Sequence, residues 1–277
     1  MFPTQGGFIA HNRQLERMAD LTRSILSRGA AAMHQGGQAA AQITQNITVN
    51  AQGASAREVA EEIAPHLKPG CTVTDVGSVK RAVIEAVGPH IPAGVHFIPA
   101  HPLAGTEHSG PRAGFAELFD NRWCLLVPLE GADPEAVARL RALWEGMGAN
   151  VDEMDADHHD LVLAVTSHLP HLLAYGLVDT LATMEERREI FSYAAGGFRD
   201  FTRIASSSPD MWADIVFANR DALLPVMGRF LEDMDLLRKA VEQGDRQRVI
   251  DIFSRAKSER DRFAALVGRF AKPGDLE

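Results

Sequence analysis

Between about Ala56 and Asp155, short apolar and β-branched runs alternate with helical segments, and after Asp155 no convincing strand signal returns. That alternation constrains the fold more than any other feature. Strands separated by helical segments imply a largely parallel sheet with helices over its faces. Arg57 to Leu67 predicts a helix stopped by Pro69-Gly70. CTVTDVG, from Cys71, is a short strand running into a loop, and Lys80 to Val87 is a helix. VHFIPAHP, ending at Pro102, and WCLLVP, from Trp123, are further strands. Asp133-Pro134 caps a helix over Glu135 to Gly146, since Asp is a good N-cap and Pro suits the first turn. ANVDEMD, ending at Asp155, closes the series.

The remainder of the chain reads as helix. Met227, Phe230, Met234, Leu237 and Val241 recur at helical spacing in a segment from Asp221. Val249, Ile250, Ile252 and Phe253 continue the pattern after a break at Gly244. Such stripes are core or a homodimer interface, and both readings stand. Ahead of the alternating stretch, Met1 to about Ser55 is rich in Ala, Gln and Gly, with a low-complexity patch from Ala30 to Gln42. Leu15 to Leu26 predicts an amphipathic helix there and Ile43 to Val49 a strand. The expected architecture is therefore α/β followed by all-helical: residues 1–155 as a sheet domain with an atypical segment 1–55, and 156–277 as a helical domain.

Charge and cysteine usage narrow the partners. With 28 Lys and Arg against 37 Asp and Glu, the net charge is -9, which speaks against nucleic acid or an anionic membrane. An anionic small molecule needs only a local pocket of Arg and His. Cys71 and Cys124 are too few for a disulfide framework and lack metal spacing, so a reducing cytoplasm is expected. MFPTQGGFIAHNRQ has no signal-peptide pattern, and no uninterrupted apolar run reaches the roughly 18 residues of a membrane span.

Polar residues concentrate where strands should end. DVGSVK (Asp75 to Lys80) follows one strand and HPLAGTEHSG (His101 to Gly110) the next. In open parallel sheets ligands bind beyond the carboxyl ends of the strands, so Ser78, His101, Thr106 and Glu107 are expected close together. Gly77, Gly105 and Gly110 would allow tight turns or close approach to a ligand. His101 can take a proton near neutral pH, or it simply precedes Pro102 in a turn. In SHLPH, His168 and His171 stand three apart, on one helical face. With only HHD (His158 to Asp160) as a source of further ligands, polar contact with a substrate is expected there rather than a metal. Arg199 and Arg203 flank an aromatic-lined segment containing Phe198 and Phe201. Either is suited to a carboxylate, or to an ion pair with Asp200 or Asp210.

DVGSVK, HPLAGTEHSG, SHLPH and GGFRDFTRIASSSPDMW occur in the order and in nearly the wording of the prephenate/arogenate (cyclohexadienyl) dehydrogenases of tyrosine biosynthesis. The chain resembles that family from about Ile63 to its C-terminus. The resemblance implies a Rossmann-like dinucleotide-binding domain and a helical dimerisation domain. It implies oxidation of prephenate or arogenate by NAD or NADP, with loss of carbon dioxide as the ring becomes aromatic, in a cytoplasmic homodimer. His101 matches the family's catalytic histidine, which takes the proton of the ring hydroxyl. Ser78 matches a serine beside that hydroxyl and the nicotinamide, which places Gly77 and Ser78 at the cofactor. Arg203 matches the arginine that binds the ring carboxylate. His171, Thr106, Glu107, Asp200 and Trp212 match residues that line or brace the substrate pocket, with His168 in the same motif.

The resemblance fails at the N-terminus. The family begins with a strand entering a Gly-rich turn, and the nearest match here is QGGFIA. Gly7 and Ala10 stand at the second and third fingerprint positions, but Gln5 occupies the first, and Pro3 works against a preceding strand. From Gly6 to Gly77 there are 71 residues, where the expected strand–helix steps need roughly 90 to 100. An altered reading frame upstream of about Ser55, a natural paralogue without cofactor binding, and a remodelled sheet all account for this. The abrupt return of the family wording near Ala56 favours the first. The alternative to a dehydrogenase is a non-catalytic dimer that binds the cyclohexadienyl ligand alone.

Overall fold

The computed structural model describes residues 55–105 and 114–270. The helix expected at Leu15 to Leu26, the strand expected at Ile43 to Val49, and Gly7, Ala10, Thr106 and Glu107 lie outside the described residues.

Helix α1 (Ala56–Ile63) opens with a capping box: Glu58 N–H donates to Ser55 Oγ, and Ser55 N–H donates to Glu58 Oε2 at 2.7 Å. Strand β1 (Thr72–Val73), helix α2 (Arg81–Val87) and strand β2 (His96–Phe97) follow, with β1 and β2 parallel and Val73 opposite Phe97. Strands β3 (Ala100–Pro102), β4 (Trp123–Leu126) and β5 (Asn150–Glu153) make a second sheet, with helix α3 (Pro134–Gly146) crossing between the last two. Asp133 caps α3 by accepting from Glu135 N–H at 3.1 Å, with Pro134 in the first turn.

The stretch from Val95 to Pro102, expected as one strand, changes partner midway. Ile98 N–H still donates to the Val73 carbonyl at 2.9 Å, but Pro99 has no N–H, and its carbonyl instead accepts from Val127 at 2.9 Å. The sheet is therefore mixed: β4 and β5 are parallel, while β3 and β4 run antiparallel with His101 opposite Leu125. The expected largely parallel sheet thus carries one antiparallel pair, β3 with β4. Against this sheet α3 buries Ala136, Leu140 and Trp144, which pack on Ile98, Ala100, Cys124 and Leu126. Phe119 meets Trp144 edge-on, with ring centroids 5.2 Å apart.

After β5 only helices follow among the described residues. Helix α4 (Ala156–Leu163), a π-helical turn (Ala164–His168) and helix α5 (Leu169–Ala182) form one continuous rod. Asp155 caps it by accepting from His158 N–H at 2.8 Å. This 27-residue run is long and apolar enough to cross a membrane by length and composition, although polar side chains interrupt it. His159, Asp160 and His168 on it are buried and hydrogen-bonded to other parts of the chain, as in the core helix of a globular protein. Helices α6 (Arg187–Ser192), α7 (Gly196–Thr202), α8 (Pro209–Ala218), α9 (Arg220–Glu242) and α10 (Arg246–Phe270) complete the chain.

The expected apolar stripe divides between core and surface. Met227 and Phe230 pack around buried Leu223, Ala164 and Leu169. Met234, Val241 and Phe253 are exposed. The architecture is a Rossmann-like α/β unit followed by helices.

Candidate functional site

His101 sits in the middle of β3 and is buried, its backbone held by Leu125 of β4. Two structures fix its surroundings. The loop after β1 is bolted to the residue before it: Ala100 N–H donates to Asp75 Oδ1 at 3.2 Å, and Lys80 Nζ donates to the Ala100 carbonyl at 2.7 Å. Lys80 also pairs with Asp75 Oδ2. Burial pushes the Lys80 ammonium below its usual value, and Asp75 opposes the shift. Ser78 stands half-buried in this loop, between Gly77 and buried Val79.

The second structure is the start of α4. His159 Nε2 lies 2.9 Å from His101 Nδ1, and His159 Nδ1 lies 2.8 Å from Asp160 Oδ1. Asp160 in turn accepts from the backbone N–H groups of Lys80 (2.8 Å) and Arg81 (3.0 Å) at the start of α2. Burial works against its charge, but these hydrogen bonds, that of His159 first, outweigh it and hold the carboxyl below its ordinary value. The polar chain continues through Asn219, whose Nδ2 donates to the Asp160 carbonyl at 2.8 Å and lies 2.9 Å from His168 Nδ1.

His168 then meets Trp212 of α8 edge-on, and His171 lies on the same indole with ring centroids 3.5 Å apart. The π-helical turn ending at His168 puts one extra residue into the rod just before His171, a distortion frequent at functional sites. Burial holds the His171 imidazole below its usual value; its bond to the Ser167 carbonyl opposes this, and the nearby Arg203 charge adds to it. Burial also pushes His101 down to about 3 and His168 to about 4. For His101, the neighbouring His159, Lys80 and His168 add to burial in disfavouring the charged form, and Asp160 opposes them. The result is a neutral imidazole, able to accept a proton.

His168, His171, Trp212 and Arg203 are thus neighbours, and His101 is joined to them through His159, Asp160 and Asn219. Asp200 and Arg199 are exposed on α7. Trp212 is buried, and His168 is only 1% exposed. His158, considered above as a metal ligand, is exposed while His159 beside it is fully buried.

Sequence reasoning passed over Asp75, Lys80, His159, Asp160 and Asn219 as working parts. A signal existed for two of them. The buried face of α4 reads His159, Asp160, Leu163, and polar groups at core-facing helical positions demand partners.

Two family models match the chain: the nucleotide-binding domain of prephenate dehydrogenase over residues 33–153 and its dimerization domain over 155–255. A cyclohexadienyl dehydrogenase of Zymomonas mobilis is 44% identical over 165 residues, covering 59% of this chain and 56% of the relative. A prephenate dehydrogenase of Bacillus subtilis is 40% identical over 171 residues, covering 61% and 46%. The chain thus spans about half the length of the curated relatives it matches. The crystal structure of Aquifex aeolicus prephenate dehydrogenase in complex with hydroxyphenyl propionate and NAD+ superposes with a TM-score of 0.69 at 33% identity, over 75% of this chain and 72% of that one. This chain belongs to the prephenate dehydrogenase family.

Proposed function

We propose that the chain is an NAD(P)-dependent dehydrogenase that oxidatively decarboxylates prephenate, arogenate or both. The observation that carries this reading is His101, a buried neutral imidazole in the middle of strand β3, with one ring nitrogen already hydrogen-bonded within the protein. Its other nitrogen, Nε2, is the one that would meet a substrate hydroxyl.

The loop after β1 suits the nicotinamide end of such a cofactor. Gly77 N–H donates to Asp75 Oδ2 at 2.8 Å, and a Cβ at residue 77 would lie 3.0 Å from that same oxygen. The position therefore takes glycine and leaves the loop backbone bare for close approach. Gly77 and Ser78 would contact the bound nicotinamide, which supplies a hydride acceptor.

His101 takes the proton of the ring hydroxyl as hydride departs from the same carbon. Carbon dioxide then leaves, its bonding electrons flow through the ring to the oxygen, and His101 returns the proton to give the phenol. Ser78 hydrogen-bonds the hydroxyl. Arg203 holds the ring carboxylate, and His171, stacked on Trp212, presents its free edge to the substrate. Thr106, Glu107 and Asp200 are assigned further substrate contacts on the likeness of their motifs to the family. Because carbon dioxide loss and aromaticity make the step effectively irreversible, the protein's task is positioning and proton transfer.

We also assign residues 1–155 to the cofactor domain and 156–277 to the substrate and dimerisation domain; the last strand ends at Glu153. The exposed apolar residues Leu231, Met234 and Val241 on α9 and Phe253 on α10 suit burial in a homodimer. A cytoplasmic location fits the two free cysteines.

The decisive experiment measures reduced-nicotinamide formation by the purified chain with prephenate and arogenate, each with NAD and NADP, alongside calorimetric titration of both nucleotides. Turnover with either acid is the expected result. Nucleotide binding without turnover, or ligand binding without nucleotide binding, rejects the dehydrogenase reading. A monomer by light scattering at micromolar concentration rejects the dimer.

A further inference from the structure

We infer that His159 and Asp160 are positioning residues that fix His101 as the Nδ1–H tautomer, leaving its Nε2 lone pair as the one that takes the substrate proton. This rests on the dehydrogenase reading above.

The inference follows from counting hydrogens along the chain of contacts. Asp160 accepts from two backbone N–H groups, those of Lys80 and Arg81, at 2.8 and 3.0 Å. An ionised carboxylate has only acceptor sites, so the His159 nitrogen 2.8 Å from it must carry a hydrogen. That nitrogen is Nδ1. A neutral imidazole has one N–H, so with His159 neutral its Nε2 is bare and can only accept. The nitrogen facing it at 2.9 Å, His101 Nδ1, is then the donor. His101 then has its single hydrogen on Nδ1, and its Nε2 carries the lone pair.

The direction of the whole chain is thus set at Asp160, a residue that itself has no freedom to turn. Its two oxygens are pinned by the first N–H groups of α2, and its carbonyl is held by Asn219 at 2.8 Å. His159 is fully buried, so no solvent competes for either of its nitrogens. When His101 accepts a proton at Nε2, the imidazolium keeps its Nδ1–H···Nε2 contact, and the Asp160 charge lies one ring further on. A doubly protonated His159 would reverse the arrangement. It would donate Nε2–H to His101 Nδ1 and leave the hydrogen on His101 Nε2, where the substrate proton has to go.

The test uses the full-length chain labelled with 15N in its histidine rings, with the His101 signals identified by their loss in His101→Asn. Ring-nitrogen shifts report the tautomer without any turnover. The expected spectrum shows His101 protonated at Nδ1. A hydrogen on Nε2 in the resting protein overturns the inference. Two variants add a kinetic readout. His159→Gln keeps an acceptor where Nε2 stood, whereas His159→Phe keeps the bulk and removes it. The Phe variant is expected to lose about 10- to 100-fold in kcat, as for loss of residues that orient a reacting group, with KM nearly unchanged. The Gln variant should recover most of the loss and retain the Nδ1–H signal. Wild-type kcat in a folded Phe variant, or a Gln variant no better than Phe, also overturns it. Should the Phe variant fail to fold, the wild-type and Gln spectra decide. If the chain turns over neither acid, the dehydrogenase reading fails by itself, while the tautomer spectrum still reports on the relay.

Discussion

The imidazole of His171 lies flat on the indole of Trp212, with ring centroids 3.5 Å and planes 19° apart. Its Nδ1 is tied back to the Ser167 carbonyl at 2.8 Å. Stacking fixes the plane of the ring and the hydrogen bond fixes its rotation, so Nε2 points in one direction. Arg203 stands near enough for its charge to lower the affinity of this ring for a proton.

Arg203→Ala is therefore expected to do two things. Removing the neighbouring cation should raise the pKa of His171, read by its NMR titration. Losing a charge-assisted carboxylate contact should weaken substrate binding by roughly ten- to a hundred-fold. Arg203→Lys should restore the first effect more fully than the second, because an ammonium cannot reproduce the planar fork. Unchanged affinity with a lowered melting temperature would mean that Arg203 serves an ion pair within the protein.

His101→Asn should depress kcat by about two orders of magnitude or more, the usual contribution of a general base. KM should change far less, since the imidazole works in the transition state. Turnover near that of the wild type would remove His101 from the mechanism.

Stability should fall between neutral pH and pH 5. Burial holds His101 at about 3 and His168 at about 4 in the folded chain, while the unfolded chain takes up protons near the ordinary histidine value of 6.5. Over the interval between, the unfolded state binds more protons, so acid favours unfolding. The stabilisation is complete above 6.5 and is lost progressively as pH falls, towards 4 for His168 and towards 3 for His101. Each histidine contributes on the order of 1–2 kcal/mol by pH 5. Melting temperatures across this range should drop, and His101→Asn should flatten the slope. A pH-independent melt would show that these rings are not held neutral by burial.

Gly148→Ala should destabilise the turn between α3 and β5 by about 1–3 kcal/mol. Its φ is 93°, and an added Cβ would lie 2.1 Å from Asp120 Oδ1. Adding Asp120→Ala should recover only the part due to the clash, since the backbone strain remains. A melting temperature equal to that of the wild type in the single variant would contradict this geometry.

Much of this molecule is written in short-range chemistry. The Asp133-Pro134 start of α3, the Pro69-Gly70 stop before β1 and the helical stripe from Met227 to Val241 depend on neighbours a few residues away, and a single sequence displays them. The four motifs likewise name the family, because each is a local string. What the sequence left open depends on elements meeting in space. Pro99 lacks an N–H in any fold, but the change of ladder partner there, and the antiparallel pairing of β3 with β4, required knowing which strands lie beside it. His159 stood in view as one of a pair of histidines and was weighed only for metal. Its contact with His101 spans 58 positions, and that of Lys80 with Asp160 spans 80. Hydrogen bonds of that reach are decided by how α4 packs against β3 and α2, and burial by the same packing makes the histidines neutral. The sequence by itself therefore determined the order of elements and the family, and it displays His101 as the candidate histidine. Only the tertiary structure decided which side chains surround that histidine, because desolvation and long-range hydrogen bonding arise when distant segments exclude water together.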